Sequence, residues 1–257
     1  MRTQFVLVVL MLAVAQPTFA KSIAEEGFDH SFPVYANAGS GFAGPWKLGG
    51  FNALSAGYVL EHESLFHPGV RACRGGSISG FAFTAINGTV RDLARPLGAT
   101  PTTFYVSFLL RPDGVLNEGA FNGFFGLTLN GSAGELFVGK SGGGTIDEYI
   151  LESRGGVGQV SSGVRAKVGK SALLVVKVEL MAGPDLITLF ANPNLRLPEP
   201  GSGAVKSDLD LGTVSKIGLY STGAFRIDDI RIGTTWDDVV VPIVGGPRSP
   251  HASCATP

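Results

Sequence analysis

Residues 174–180 read LVVKVEL, with Leu174, Val176, Val178 and Leu180 on one parity and Lys177 and Glu179 on the other. A period of two sends the two sets to opposite faces of a β-strand, whereas a helix would scatter them around its axis. The same alternation recurs at Phe104, Val106, Phe108 and Leu110, at Phe125, Leu127 and Leu129, and at Leu136 and Val138. Shorter versions follow at Tyr149 and Leu151, Ile187 and Leu189, and Ile217 and Leu219. Clusters of Gly, Pro, Asn and Ser separate these runs, drawn from 37 Gly and 15 Pro. Each run has one apolar face, and two sheets packed face to face bury all of them. Helical signal is confined to 48–63 and 90–97, which could hold a turn or two each. The predicted fold is all-β, a two-sheet antiparallel β-sandwich with few or no helices beyond the N-terminal segment.

The closing run, FRIDDIRIGTTW at 225–236, is the most unusual. Apolar residues alternate at Phe225 and Ile227 and again at Ile230 and Ile232, but the parity breaks at Asp228-Asp229. Two adjacent acids inside an apolar strand are costly unless the chain bulges, solvent reaches them, or a cation or donor satisfies them. A bend with a candidate ion site is the expectation there.

The N-terminus reads MRTQFVLVVLMLAVAQPTFAKS. Arg2, the apolar run 5–15 and the small-x-small pair Thr18 and Ala20 have the layout of a signal peptide cleaved after Ala20. The run is shorter than the ~20 residues that span a bilayer. This predicts a signal peptide over 1–20, one domain over 21–241, and a secreted, periplasmic or cell-surface location. Residues 242–257, PIVGGPRSPHASCATP, read as a disordered tail. No later segment predicts a membrane span in the mature chain. A formal net charge of −1 gives no electrostatic case for nucleic acid or an anionic membrane.

Two cysteines, Cys73 and Cys254, could pair in an oxidising compartment, although the tail around Cys254 promises little order. They lack the spacing and histidine partners of a metal site. His62, Glu63 and His67 miss the four-residue spacing of helical zinc sites and read as satisfied or exposed side chains. Glu61 and Glu63 read as a solvated edge. Asn87-Gly88-Thr89 and Asn130-Gly131-Ser132 fit glycosylation sequons, but Asn-Gly is also a turn pair, and both are expected to be turns. The glycine-rich stretches 39–50 and 142–144 precede no helix, so neither predicts a phosphate cradle.

EEGFDHSF and PWKLGG near the mature N-terminus, TTFYVSFLLRP, ELFVGK, LLVVKVEL with DLITLFANP, and the closing FRIDDIRIGTTWDDVVVP occur in that order. Together they resemble the concanavalin A-like lectin/glucanase superfamily, in particular laminin-G-like jelly rolls of exported bacterial proteins. The resemblance implies a jelly roll whose first and last strands pair. Its members include carbohydrate-binding modules, adhesion domains and glycoside hydrolases, so function stays open. The Glu-x-Asp-x-x-Glu run of the hydrolase branch is absent, so no catalytic residue is assigned. Beside paired end strands, Glu25 and Asp29 are expected to approach Asp228 and Asp229, a candidate structural calcium site of hard oxygen ligands. Trp46, Tyr58, Tyr149 and Trp236 are the candidate sugar platforms, with core packing the competing role, and Tyr35 is a further ring. The expected function is a non-catalytic, lectin-like domain that binds carbohydrate or another extracellular polymer. The alternatives are a structural or adhesive protein without a sugar site and, behind it, a hydrolase with an unfamiliar carboxylate pair.

Overall fold

The computed structural model describes residues 22–28, 37–49, 58–70, 75–80, 87–98, 102–116, 123–142 and 147–241. The predicted signal peptide, the tail, Asp29, Tyr35, Cys73 and Cys254 lie outside them. The described strands are β1 (Ala24–Glu26), β2 (Lys47–Leu48), β3 (Val59–Glu61), β4 (Ser77–Gly80), β5 (Asn87–Leu97), β6 (Thr103–Pro112), β7 (Phe125–Gly131) and β8 (Glu135–Lys140). They continue as β9 (Glu148–Ser153), β10 (Val157–Arg165), β11 (Ala172–Glu179), β12 (Leu186–Ala191), β13 (Ala204–Lys206), β14 (Val214–Ser221) and β15 (Phe225–Gly233), followed by a one-turn helix α1 (Trp236–Val239). Among the described residues no helix is long and apolar enough to cross a membrane.

The strands form two antiparallel sheets, as the alternation predicts. One runs β13-β12-β11-β6-β15-β4-β3, with β1 also on β15, and the other runs β10-β9-β8-β7-β14-β5-β2. The opening strand lies beside the closing one, Glu26 opposite Ile230 and Ala24 opposite Ile232. The alternating residues Phe104, Val106, Phe108 and Leu110 meet Leu127, Leu129, Leu136 and Val138 in one core between the sheets. Burial at about 25 cal/mol per Å² of apolar surface is the main stabilising term for such a core. A second cluster covers the outer face of the first sheet, where Trp236, Val239 and Val240 pack on Tyr105, Leu109, Leu173, Val175 and Phe190.

Four local expectations are corrected. Residues 90–97 are strand, not helix, because Thr89, Arg91 and Leu93 are the buried set and β5 pairs with β14 across its length. Val59–Glu61, inside 48–63, is likewise an edge strand. Asn87-Gly88 does not turn but opens β5, opposite Ser221 and Tyr220, and Asn87 is buried. Asn130-Gly131 end β7 rather than forming the turn, which falls one step later at Ser132-Ala133, where Gly131 N–H donates to Gly134 O at 2.9 Å and β8 follows.

Candidate functional site

Asp228 and Asp229 sit where β15 changes partner. Phe225 to Ile227 pair with β4, Ile230 to Ile232 pair with β1, and against β6 the register slips by one residue between Asp228 and Arg231. Asp229 has a φ of +53°, so the bulge is made by an acid in the left-handed region, which Asp and Asn enter more readily than most residues. Asp228 accepts the backbone N–H of Leu65 at 2.9 Å and of Asp229 at 2.7 Å. Burial, and then the charge of Asp229, hold the Asp228 carboxyl well above the usual carboxylate range.

The positive charge beside these acids comes from the chain itself. Arg231 Nη2 donates to Asp229 Oδ1 at 3.2 Å, and Arg231 Nε lies 3.4 Å from Glu25 Oε1. Glu25, Asp228 and Asp229 therefore share a guanidinium and backbone donors. Among the described residues no three His, Cys, Asp or Glu side chains gather as a ligand set.

None of the four candidate sugar platforms offers a ring face to solvent. Trp46 stacks on Phe28 at 6.4 Å, and its indole N–H points to Glu26 Oε2 at 3.4 Å. Tyr58 meets Phe225 edge to face and donates its hydroxyl to Asn87 O at 3.2 Å. Trp236 packs edge to face on Phe190 and Tyr105. Tyr149 is 1% exposed, and burial raises its phenol pKa. All four are buried rings, because a large ring gains more from burial than from display, and Trp46 and Tyr58 also satisfy their polar tips. The acids at the β3 edge are also structural: Arg226 reaches Glu63 at 3.2 Å and Asp113 at 2.9 Å, while Ser79 donates to Glu61 at 2.7 Å. His67 is held through one nitrogen, with Nε2 3.1 Å from Asn192 Oδ1, while its buried Nδ1 has no hydrogen-bond partner among the described residues.

The concave surface lies elsewhere, along the seam where β10 of one sheet passes β12 and β13 of the other. Lys206 on β13 ties that seam, donating to Gly158 O at 2.7 Å beside Asp208 at 2.8 Å. Two depressions abut along β10. The first, about 390 Å³, is lined by Tyr149, Gly163, Val164, Arg165, Lys167, Lys170, Ser171, Ala172 and Asn192. The second, about 470 Å³, is lined by Ser161 and Ser162, by Leu189 to Ala191, and by the Pro- and Ser-rich segment after them. Volumes of this size hold small saccharide units.

Alternation does not reveal β10, because VGQVSSGVR has few apolar residues and its side chains are exposed or half-buried. The available signal was SGVRAKVGKS, in which three cations follow within six positions and Val168-Gly169 makes a turn. Gly169 has a φ of +71°, and Lys170 N–H donates to Lys167 O at 3.0 Å, so the turn holds both lysines at its shoulders.

No family model matches this sequence, and no curated protein does. Among solved structures, an endo-1,3-β-glucanase from Streptomyces sioyaensis is similar at 9% identity, with a TM-score of 0.50 over 86% of this chain and 98% of that one. The binding domain of botulinum neurotoxin serotype D is similar at 10% identity and a TM-score of 0.45 over 83% of this chain, which spans 47% of that one. The carbohydrate recognition domain of Emp46p, metal-free, is similar at 10% identity and a TM-score of 0.42 over 69% of this chain and 88% of that one. The fold is that of the concanavalin A-like jelly rolls.

Proposed function

We propose that the chain is an exported, non-catalytic, lectin-like domain that binds carbohydrate along the β10 seam. The observation that carries this reading is the character of the first depression. Cationic, hydroxyl and amide side chains line a trough of saccharide size, and among the described residues no carboxylate does. Glycoside hydrolysis needs two carboxylates flanking the bond, so this trough is suited to holding a sugar rather than cutting it. The glucanase that shares the fold acts on a polysaccharide, which agrees with a carbohydrate-related role. Export is proposed from the N-terminal segment, whose cleavage after Ala20 would leave Lys21 first.

A structural or adhesive role without a sugar site has one observation in its favour, the burial of Trp46, Tyr58, Tyr149 and Trp236. Affinity electrophoresis of the mature chain through gels containing neutral and acidic polysaccharides separates the two. Retardation by at least one polysaccharide is expected, and uniform mobility in every gel hands the case to the structural role. Release of reducing ends from any polymer would return the chain to the hydrolases. N-terminal sequencing of the exported protein should begin at Lys21, and an intact Met1 would remove the export reading.

A further inference from the structure

We infer that the polymer taken at the β10 seam is an acidic polysaccharide whose carboxylates meet Arg165, Lys167 and Lys170. The inference rests on the carbohydrate reading above and specifies its ligand.

The chain carries a formal net charge of −1, yet the first depression has three cations and no acid in its lining. All three are exposed. Most other cations in the fold have carboxylate partners: Lys47 with Asp92, Arg154 with Glu135, Lys206 with Asp208, and Arg226 with three acids. Among the described residues Arg165, Lys167 and Lys170 pair with none. Glu148 is opposite Arg165 in the β9–β10 register but takes the hydroxyl of Ser161 instead. Three like charges held together by a strand end and a tight turn repel one another, and an anion in the trough relieves that repulsion. The second depression lies farther along the same strand, at Ser161 and Ser162, so the seam has room for a polymer rather than a single ion. Regularly spaced carboxylates on a uronate chain fit such a line of cations, while Ser171 and Asn192 are placed for sugar hydroxyls.

The test is affinity electrophoresis and titration with polygalacturonate, laminarin as a neutral glucan, and single-stranded DNA, at low and at about 0.5 M salt. The expected result is binding to polygalacturonate that weakens with salt. In Lys167→Gln/Lys170→Gln it should weaken by about two- to thirtyfold, the range that the loss of two exposed ion pairs gives. An Arg165→Gln variant should add to the loss, and circular dichroism checks that both variants fold. Binding to laminarin but not polygalacturonate would overturn this inference and leave the carbohydrate reading standing. DNA bound as tightly as polygalacturonate would also overturn it, as would polygalacturonate binding unchanged in the variants. No glycan binding at all would remove the carbohydrate reading itself.

Discussion

Glu26 on β1 and Arg91 on β5 form a fully buried ion pair that joins the two sheets through their core. Every visible valence is used. Glu26 Oε1 accepts the N–H of Phe28 at 3.0 Å, Arg91 Nε donates to Gly44 O at 2.8 Å, and its Nη2 donates to Asn37 at 3.1 Å and to Ala38 O. The guanidinium also lies 4.0 Å from the centre of the Phe42 ring. Two charges leave water at a cost that their attraction offsets only when the remaining donors and acceptors are satisfied, and here they are.

Removing one partner should therefore be severe. Glu26→Leu or Arg91→Met is expected to cost about 3–5 kcal/mol, read as a fall in the urea midpoint, because the survivor stays buried without its counter-charge. The double variant Glu26→Leu/Arg91→Met should cost less than the sum of the singles. It should not return to wild type, since the carbonyls of Gly44 and Ala38 lose their donor. Additive losses in the double variant would contradict a coupled pair.

The bulge makes a different demand at Asp229, whose φ is +53°. Asn adopts this backbone readily and Val does not, since a β-branched residue in the left-handed region is strained. Asp229→Asn keeps the backbone and loses only the charge facing Arg231, whereas Asp229→Val loses both, so Asp229→Val should be less stable than Asp229→Asn by about 1–3 kcal/mol. Equal stabilities for the two variants would show that the left-handed conformation is not what the site requires.

Much of this architecture is legible in the sequence, and the exceptions have separate physical causes. β6, β7, β11 and β15 were evident because each has one face in the core and one outside it, so period two survives in the letters. β5 was not, because Arg91 occupies a buried position that the pattern reserves for an apolar residue, and only Glu26 on a distant strand explains it. β10 was missed for the opposite reason: an edge strand with exposed side chains has no buried face to advertise. The bulge at Asp228-Asp229 was legible because a parity break is local. Whether Trp46 and Trp236 face the core or solvent was not, because burial depends on partners far along the chain. α1 had a local signal that went unused, Thr235 three residues before Asp238.

That helix depends on one carboxylate. Asp238 Oδ2 accepts from Thr234 N at 2.8 Å and Thr235 N at 2.8 Å, and so closes a capping box on the turn that lays Trp236 over the first sheet. Asp238→Ala should cost about 1–2 kcal/mol. A Cβ on Gly233 would meet the Cβ of Asp238 at 2.2 Å, so Gly233→Ala should force the helix away from β15. Both variants are expected to quench and red-shift the Trp236 fluorescence against a Trp46→Phe background, as its ring leaves Phe190 and Tyr105. An unchanged emission maximum in Gly233→Ala would rule out the close approach.

Arg231 sets an expectation for calcium. With its guanidinium 3.4 Å from Glu25 and 3.2 Å from Asp229, a divalent ion between those acids would have to displace a buried cation. Chelator and added calcium should each leave the melting temperature unchanged. A rise of several degrees on adding calcium would mean that the acids near the end strands, Asp29 among them, form a site in spite of Arg231.

His67 contributes a pH dependence of its own. Burial lowers its pKa below the ordinary histidine value, more than its hydrogen bond to Asn192 raises it. Between the lowered folded value and about 6.5 the unfolded chain binds more protons than the folded one, so stability falls as pH drops through that window and levels off below it. Protonation would also place a charge at the Asn192 side chain, which accepts the N–H of Leu173 at 2.9 Å with the same oxygen that faces His67. Asp228, held high by burial, contributes with the opposite sign, so the His67 effect is read as a difference: between pH 7.5 and 5 the urea midpoint of His67→Gln should gain on that of the wild type. Parallel curves for the two proteins would assign the acid sensitivity to another group.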